Sequence, residues 1–315
     1  MTATLPAGIT IRAPKMDDAE AVVDLINTCA VAEGGEADEN VSELLADWKS
    51  GEISLETDIW LAIAPNGKII GYEESRPDES NPTVMVDGYV HPDYANQGIG
   101  TYLLHLAEER ARTLLDATQS EVILRSHTNM ANAHASQLFA NAQYTFVRRF
   151  WRMEIEMEQA PAFQYPAGIT IRTFVPDQDE RVFHSVIEES FAEHWGHSPT
   201  SFESWVQKLP HREDYVPSLW FLAFDGDTAV GAVLCYDREV FGWIRSLGVL
   251  VPWRKRGVGS ALLYHVFDAF YQRGQYRVSL GVDAENETGA TRLYEQVGMS
   301  VAEQYDTYEK KLTLS

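Results

Sequence analysis

PAGITIR occurs twice in this chain, as Pro6-Ala7-Gly8-Ile9-Thr10-Ile11-Arg12 and again, unchanged, as Pro166-Ala167-Gly168-Ile169-Thr170-Ile171-Arg172. If the stretch marks a duplicated unit, later landmarks should return in the same order at nearly the same offset. They do. Val90-His91-Pro92-Asp93-Tyr94-Ala95-Asn96-Gln97-Gly98-Ile99-Gly100 meets Val249-Leu250-Val251-Pro252-Trp253-Arg254-Lys255-Arg256-Gly257-Val258-Gly259, and SQLFANAQYTFV around Phe139 meets TRLYEQVGMSVA around Tyr294. Three ordered matches over most of the chain are the signature of one domain copied in tandem. The period is far too long for a solenoid. The reading gives domains over 1–158 and 166–315, joined by an Ala- and Pro-rich linker near MEQAPAFQYPAG at 157–168.

Each copy reads alike. GITIR is a short β-branched strand. A helix-spaced apolar pattern follows, DDAEAVVDLINTCA in one copy and DQDERVFHSVIEESFA in the other. Two strands then flank a turn, at Pro65-Asn66-Gly67 and at Asp225-Gly226-Asp227. A further strand runs into the glycine loop, and helix, strand, helix and strand complete the copy. The expected fold is mixed α/β, each copy a mostly antiparallel mixed sheet flanked by helices.

Composition sets outer bounds. The chain has 315 residues, 45% hydrophobic and 23% charged, enough for two cores of about 150 residues each. Two cysteines, Cys29 and Cys235, make no disulfide framework and point to a reducing cytoplasm. No charged and apolar leader opens the chain, and no run of about 18 apolar residues is present to span a membrane. The net charge of −22 repels nucleic acid and anionic lipid, and favours a cationic partner such as an amine.

Against that acidic background, Arg254-Lys255-Arg256 sit together just before Gly257-Val258-Gly259. Glycines there let the backbone approach a ligand. Free amides and the helix dipole at such a place favour a pyrophosphate. The plainer alternative is a tight strand-to-helix turn with a solvated basic cluster. The loop has neither the third glycine of a dinucleotide fingerprint nor the Gly-Lys-Ser/Thr of a P-loop. His194-Trp195-Gly196-His197 has no metal-ligand spacing.

Arg254-x-x-Gly257-x-Gly259, followed by Asn286…Ala290…Leu293-Tyr294…Gly298-Met299, resembles the GNAT superfamily of N-acetyltransferases. The tandem arrangement over nearly the whole chain resembles its two-domain, mycothiol synthase-like members. The resemblance implies a tandem GNAT fold and acetyl-CoA as cosubstrate. The acceptor would be a primary amine of a small molecule, the enzyme a monomer or homodimer. Leu247, Gly248, Val249 and Val251 would hold the pantetheine and the carbonyl oxygen. Arg254 and Lys255 would belong to the cofactor-binding loop, and Arg256, Gly257, Val258, Gly259 and Ser260 would supply amides to the pyrophosphate. Tyr294 would protonate the departing thiolate. Asn286 stands one residue off the usual place.

The proton acceptor is less well marked. Glu239, Asp283, Glu188 and Glu189 are alternatives, as is a water chain. In the first copy Ala95 replaces Arg254, Phe139 replaces Tyr294 and Gln143 replaces Gly298. That half is therefore expected to lack catalysis, though Gly98 and Gly100 remain placed to bind coenzyme A. Asp87 and His91 lie nearby, the histidine read as structural before its Pro turn. The competing reading of the whole chain is a non-catalytic acyl-CoA-binding or regulatory protein.

Overall fold

A computed structural model describes residues 4–78, 81–115, 120–208, 216–238, 240–286 and 288–313. It divides into two compact units, residues Met1–Arg149 with Gln304–Ser315, and residues Phe150–Glu303.

The first unit holds β1 (Thr10–Arg12), α1 (Ala19–Ala32), α2 (Val41–Lys49), β2 (Ile59–Ile63), β3 (Ile69–Pro77), β4 (Thr83–Val90), α3 (Ile99–Arg112), β5 (Glu121–Asn129) and α4 (Ala133–Asn141), with the start of β6 (Thr145–Glu156). The second holds the rest of β6, β7 (Ile169–Thr173), α5 (Glu180–Phe191), α6 (Phe202–Lys208), β8 (Phe221–Asp225), β9 (Thr228–Arg238), β10 (Phe241–Val249), α7 (Val258–Gln272), β11 (Arg277–Asp283), α8 (Ala290–Gln296) and the start of β12 (Ser300–Thr313). Both copies of PAGITIR open an edge strand, β1 and β7, as the repeat predicts. Helices α2 and α6 escape the apolar pattern. The signal for α2 lies at its start, where Asn40 accepts from the Glu43 amide at 2.8 Å, a side-chain cap.

The unit boundaries differ from those the repeat suggests, because the last strand of each copy has changed places. In the first unit the strand order is β1-β2-β3-β4-β5-β12, with β12 antiparallel to β5 from Tyr305↔Asn129 to Thr313↔Glu121. In the second it is β7-β8-β9-β10-β11-β6, with β6 antiparallel to β11 from Phe150↔Asp283 to Glu156↔Arg277. The exchanged strands are fully integrated. Leu312 is buried with Val122 and Leu124, while Lys310 reaches the buried Glu108 at 2.7 Å. Met153 is buried in the other core with Leu280 and Tyr294. Equivalent strands of duplicated domains offer equivalent edges, so no local sequence signal tells β5 whether β6 or β12 belongs beside it.

In each unit the six strands pair antiparallel except the fourth and fifth, which are parallel. The parallel pairing is short. β10 and β11 pair only at Gly242↔Val278, Trp243↔Ser279 and Ile244↔Leu280, after which β10 shifts register against β9 between Ile244 and Ser246. β4 and β5 pair only at Thr83↔Ile123, Val84↔Leu124 and Met85↔Arg125. Beyond these points the strands part. Each sheet is open between its fourth and fifth strands, at the end where the glycine loop begins.

Candidate active site

The loop of the second unit is shaped by backbone strain that its sequence tolerates. Lys255 has φ 61°, and Gly257, the N-cap of α7, has φ 81°. Asn96 and Gly98 repeat this pair at 60° and 86°. A left-handed backbone is free for glycine and costs other residues about 1 kcal/mol or more, so a kinked loop is maintained in both copies. Gly257 has no side chain with which to cap the helix. The first helical bond there is Ala261 N–H to the Gly257 carbonyl at 2.9 Å. The amides from Val258 to Ser260 are thus left for an outside acceptor, at the positive end of a 15-residue helix. A Cβ on Gly259 would stand 2.9 Å from Leu293 Cδ2, so the glycine lets α7 and α8 close together.

Lys255 and Arg256 are exposed beside those amides, and both remain available to an anion. Arg254 is bonded within the protein. Its Nε donates to the Val249 carbonyl at 3.0 Å and an Nη to the Ser190 carbonyl at 3.1 Å. The guanidinium therefore pins the loop to β10 and to the end of α5. Val251 is an exposed turn residue whose carbonyl accepts from the Arg254 amide.

Leu247, Gly248 and Val249 lie on the part of β10 that has left β11, so amides facing away from β9 border the opening. Gly248 is required by crowding. A Cβ there would sit 2.7 Å from Ser190 Cβ and 2.9 Å from Ser190 Oγ. That hydroxyl is buried and has no protein partner among the described residues.

Tyr294 is buried in α8, against the same core as Val258 and Leu262. Burial alone pushes its hydroxyl up to about 12, so it keeps its proton at neutral pH. Phe139 holds the matching place in α4, stacked on Tyr308 at 5.1 Å.

The expected proton acceptors are not equally well placed. Glu239 lies outside the described residues. Asp283 accepts from the Glu285 amide at 2.8 Å and stiffens the turn after β11. Asn286 Oδ1 accepts from the Thr288 amide and hydroxyl at 2.9 and 2.5 Å, an anchor for the turn into α8. Glu188 faces His197 at 3.3 Å. His91 is structural as expected, its Nδ1 accepting from the Asp93 amide at 3.2 Å.

His194, weighed in the sequence only as a metal ligand, stands at this site. It follows α5 directly, its amide bonded to the Phe191 carbonyl at 2.8 Å and its ring 4.5 Å from that of Phe191. Burial first, then the nearby Arg254 and His197, holds its imidazole below the usual histidine range, against an opposing pull from Asp283. A neutral imidazole thus stands near the loop arginine and the end of β11. The signal in the sequence was HWGH just beyond a helix, legible only once α5 is known to end at the glycine loop.

The sequence profile of the acetyltransferase (GNAT) family matches residues 19–143 and 183–299. The chain is 29% identical over 222 residues to a mycothiol acetyltransferase of Renibacterium salmoninarum, an alignment covering 67% of this chain and 62% of that protein. It is 27% identical over 310 residues to the mycothiol acetyltransferase of Pseudarthrobacter chlorophenolicus, covering 90% of each. Among solved structures, a GCN5-related N-acetyltransferase from Sphaerobacter thermophilus superposes with TM-score 0.86 at 37% identity, covering 99% of this chain and 98% of that one. A tandem GNAT protein of the clavulanic acid biosynthesis pathway superposes with TM-score 0.71 at 16% identity, covering 98% and 99%, a likeness of fold.

Proposed function

The chain belongs to the acetyltransferase (GNAT) family, and from that premise we propose that its second unit carries acetyl from acetyl-CoA to a primary amine of a small molecule. The family assignment makes it an acetyl-CoA-using acetyltransferase. The observation that carries the choice of unit is the pairing of an uncapped, lysine- and arginine-flanked helix start at Gly257 with the buried hydroxyl of Tyr294. The first unit offers Ala95-Asn96-Gln97 and Phe139 at these two places.

The chemistry follows from the groups present. The amides of Val258, Gly259 and Ser260, with Lys255 and Arg256, hold the pyrophosphate. The free edge of β10 at Leu247–Val249 binds the pantetheine arm and steadies the thioester oxygen as charge builds on it. An alkylamine, with a pKa near about 10.4, must shed a proton to attack. That first proton leaves to water before attack; as the C–N bond forms the nitrogen carries one proton too many, and His194, kept neutral, takes it. As the C–S bond breaks, Tyr294 gives its proton to the sulfur and is reprotonated from solvent when the products leave. The acceptor is a cationic small molecule, in keeping with the net charge of −22. The mycothiol acetyltransferases it is similar to act as the first guide to amine acceptors worth assaying.

The test is thiol release from acetyl-CoA with a panel of primary amines. Tyr294→Phe should lower kcat by roughly 10²–10⁴-fold, the usual worth of a positioned proton donor, with little change in the KM for acetyl-CoA. Gly257→Glu should abolish acetyl-CoA binding. Turnover unaltered in both variants removes the reading.

A further inference from the structure

The first unit contains a cavity of about 460 Å³, within the size range of small-molecule sites (roughly 300–1,000 Å³). It opens where β4 and β5 part, and Gly98 and Gly100 of the kinked loop border it, as do Glu73, Glu33 and Asn132. The place is the one at which the second unit would hold coenzyme A, but its chemistry is reversed. Among the described residues no Lys or Arg lines it. Ala95, Asn96 and Gln97 stand where the other copy has Arg254, Lys255 and Arg256.

Glu73 decides the ligand class. It is 4% exposed and has no hydrogen-bond partner among the described residues. Its carboxylate lies across the sheet over Gly88, so close that a Cβ on Gly88 would stand 2.0 Å from Glu73 Oε2. The residue of β9 opposite Leu247, as Glu73 is opposite Gly88, is Val233. Two further polar atoms in this core, Ser75 Oγ and Tyr144 Oη, are buried with no protein partner among the described residues. Ser75 follows Glu73 by two positions on β3 and so shares its face. Burial, then the charges of Asp87 and Glu74, raises the Glu73 carboxyl well above its ordinary range, the mark of an acid without a counter-charge. Asp87 and Glu74 themselves face the other side of the sheet, where they pair with Tyr89 and with Tyr72 and Arg76. Glu33 is bound to Asn132 Nδ2 at 2.6 Å, so Glu73 is the carboxylate left for a guest.

We propose that this cavity binds a small primary amine as its alkylammonium ion, held by Glu73, and that it does not bind coenzyme A. A polyphosphate would meet acids and no fixed cation there beyond the amides at the start of α3, whereas an ammonium supplies the counter-charge that lets Glu73 release its proton to solvent and accept the ammonium's N–H groups. This inference does not rest on the assignment of catalysis to the second unit.

The experiment is calorimetric titration of the full chain with n-butylamine, with 1,4-diaminobutane and, separately, with acetyl-CoA. The amines should bind the wild type, and Glu73→Gln should weaken them by on the order of 10- to 100-fold, the usual worth of a buried charge-assisted hydrogen bond. Glu73→Gln keeps the shape of the side chain, and an unreduced melting temperature confirms that the fold is intact. Gly88→Ala, which pushes the carboxylate aside, should weaken the amines as well. Acetyl-CoA should bind once per chain and leave amine binding to the first unit unchanged. Failure of both amines to bind, equal binding to Glu73→Gln, or a second acetyl-CoA that displaces the amine overturns the proposal. Loss of turnover in Tyr294→Phe leaves these heats unaltered, so the two readings fail separately.

Discussion

At the scale of single residues, the informative side chains are those whose ionisation has been moved. Glu73 holds its proton in the folded chain far above the pH at which an unfolded glutamate releases it. Between those two pH values the unfolded state binds fewer protons than the native state, so stability falls as pH rises through that window. Glu73→Gln, which titrates in neither state, should therefore stabilise the first unit at pH 7–8. The gain should shrink toward zero near pH 4. Chemical denaturation at the two pH values checks both statements. His194 moves the other way. In the proposed mechanism its neutral form takes the proton, and its imidazole lies below the usual range. The acid limb of kcat/KM should thus fall below the range of an ordinary histidine, about 6.5. His194→Gln should remove that limb and cost roughly 10²-fold or more at neutral pH. Tyr294 was legible in the sequence because its segment is a family motif. His194 and Glu73 were not, since a lone histidine in a loop and a glutamate in a strand carry no pattern. Burial without a partner distinguishes Glu73, and half-burial beside Arg254 distinguishes His194.

At the scale of elements, the two turns of strained loop and the parting of the middle strands make the site. The glycines announced themselves by number and spacing. The parting did not, because it depends on where a register shift falls in β10 and on how short the parallel pairing is. Arg254 shows the same limit. The sequence put a cation at the phosphate loop, but the geometry commits its guanidinium to two carbonyls, of Val249 and Ser190. Arg254→Ala should consequently loosen the loop and raise the KM for acetyl-CoA about tenfold, with a smaller change in kcat. Arg254→Lys should not restore it, since a single ammonium lacks the fork that spans both carbonyls. Steady-state kinetics on the two variants decide the point. At Gly248 the reason for glycine is packing, with Ser190 at 2.7 Å from a would-be Cβ. Gly248→Ala should cost about 1–3 kcal/mol through overpacking.

At the scale of the whole molecule, the duplication was plain in the sequence and the fold class followed from it. The path of the chain between the copies was hidden, for β6 and β12 carry equivalent patterns and either would satisfy either edge. Removing Gln304–Ser315 takes from the first unit the nine-residue pairing with β5, the contact of Arg149 with Asp306 at 2.6 Å and the burial of Leu312. In hydrogen-exchange measurements, a chain ending at residue 303 should lose protection in β5 while β9 and β10 of the second unit remain protected.

The exchange of last strands also bears on inheritance. A gene encoding two independent copies can shed one by deletion once its chemistry is lost. Here a deletion of the first copy would strip β6 from the second sheet, and a deletion of the second would strip β12 from the first. Each half is therefore hostage to the other's reading frame, and a copy with Phe139 and Ala95-Asn96-Gln97 in place of a tyrosine and a basic loop still supplies its neighbour's sixth strand.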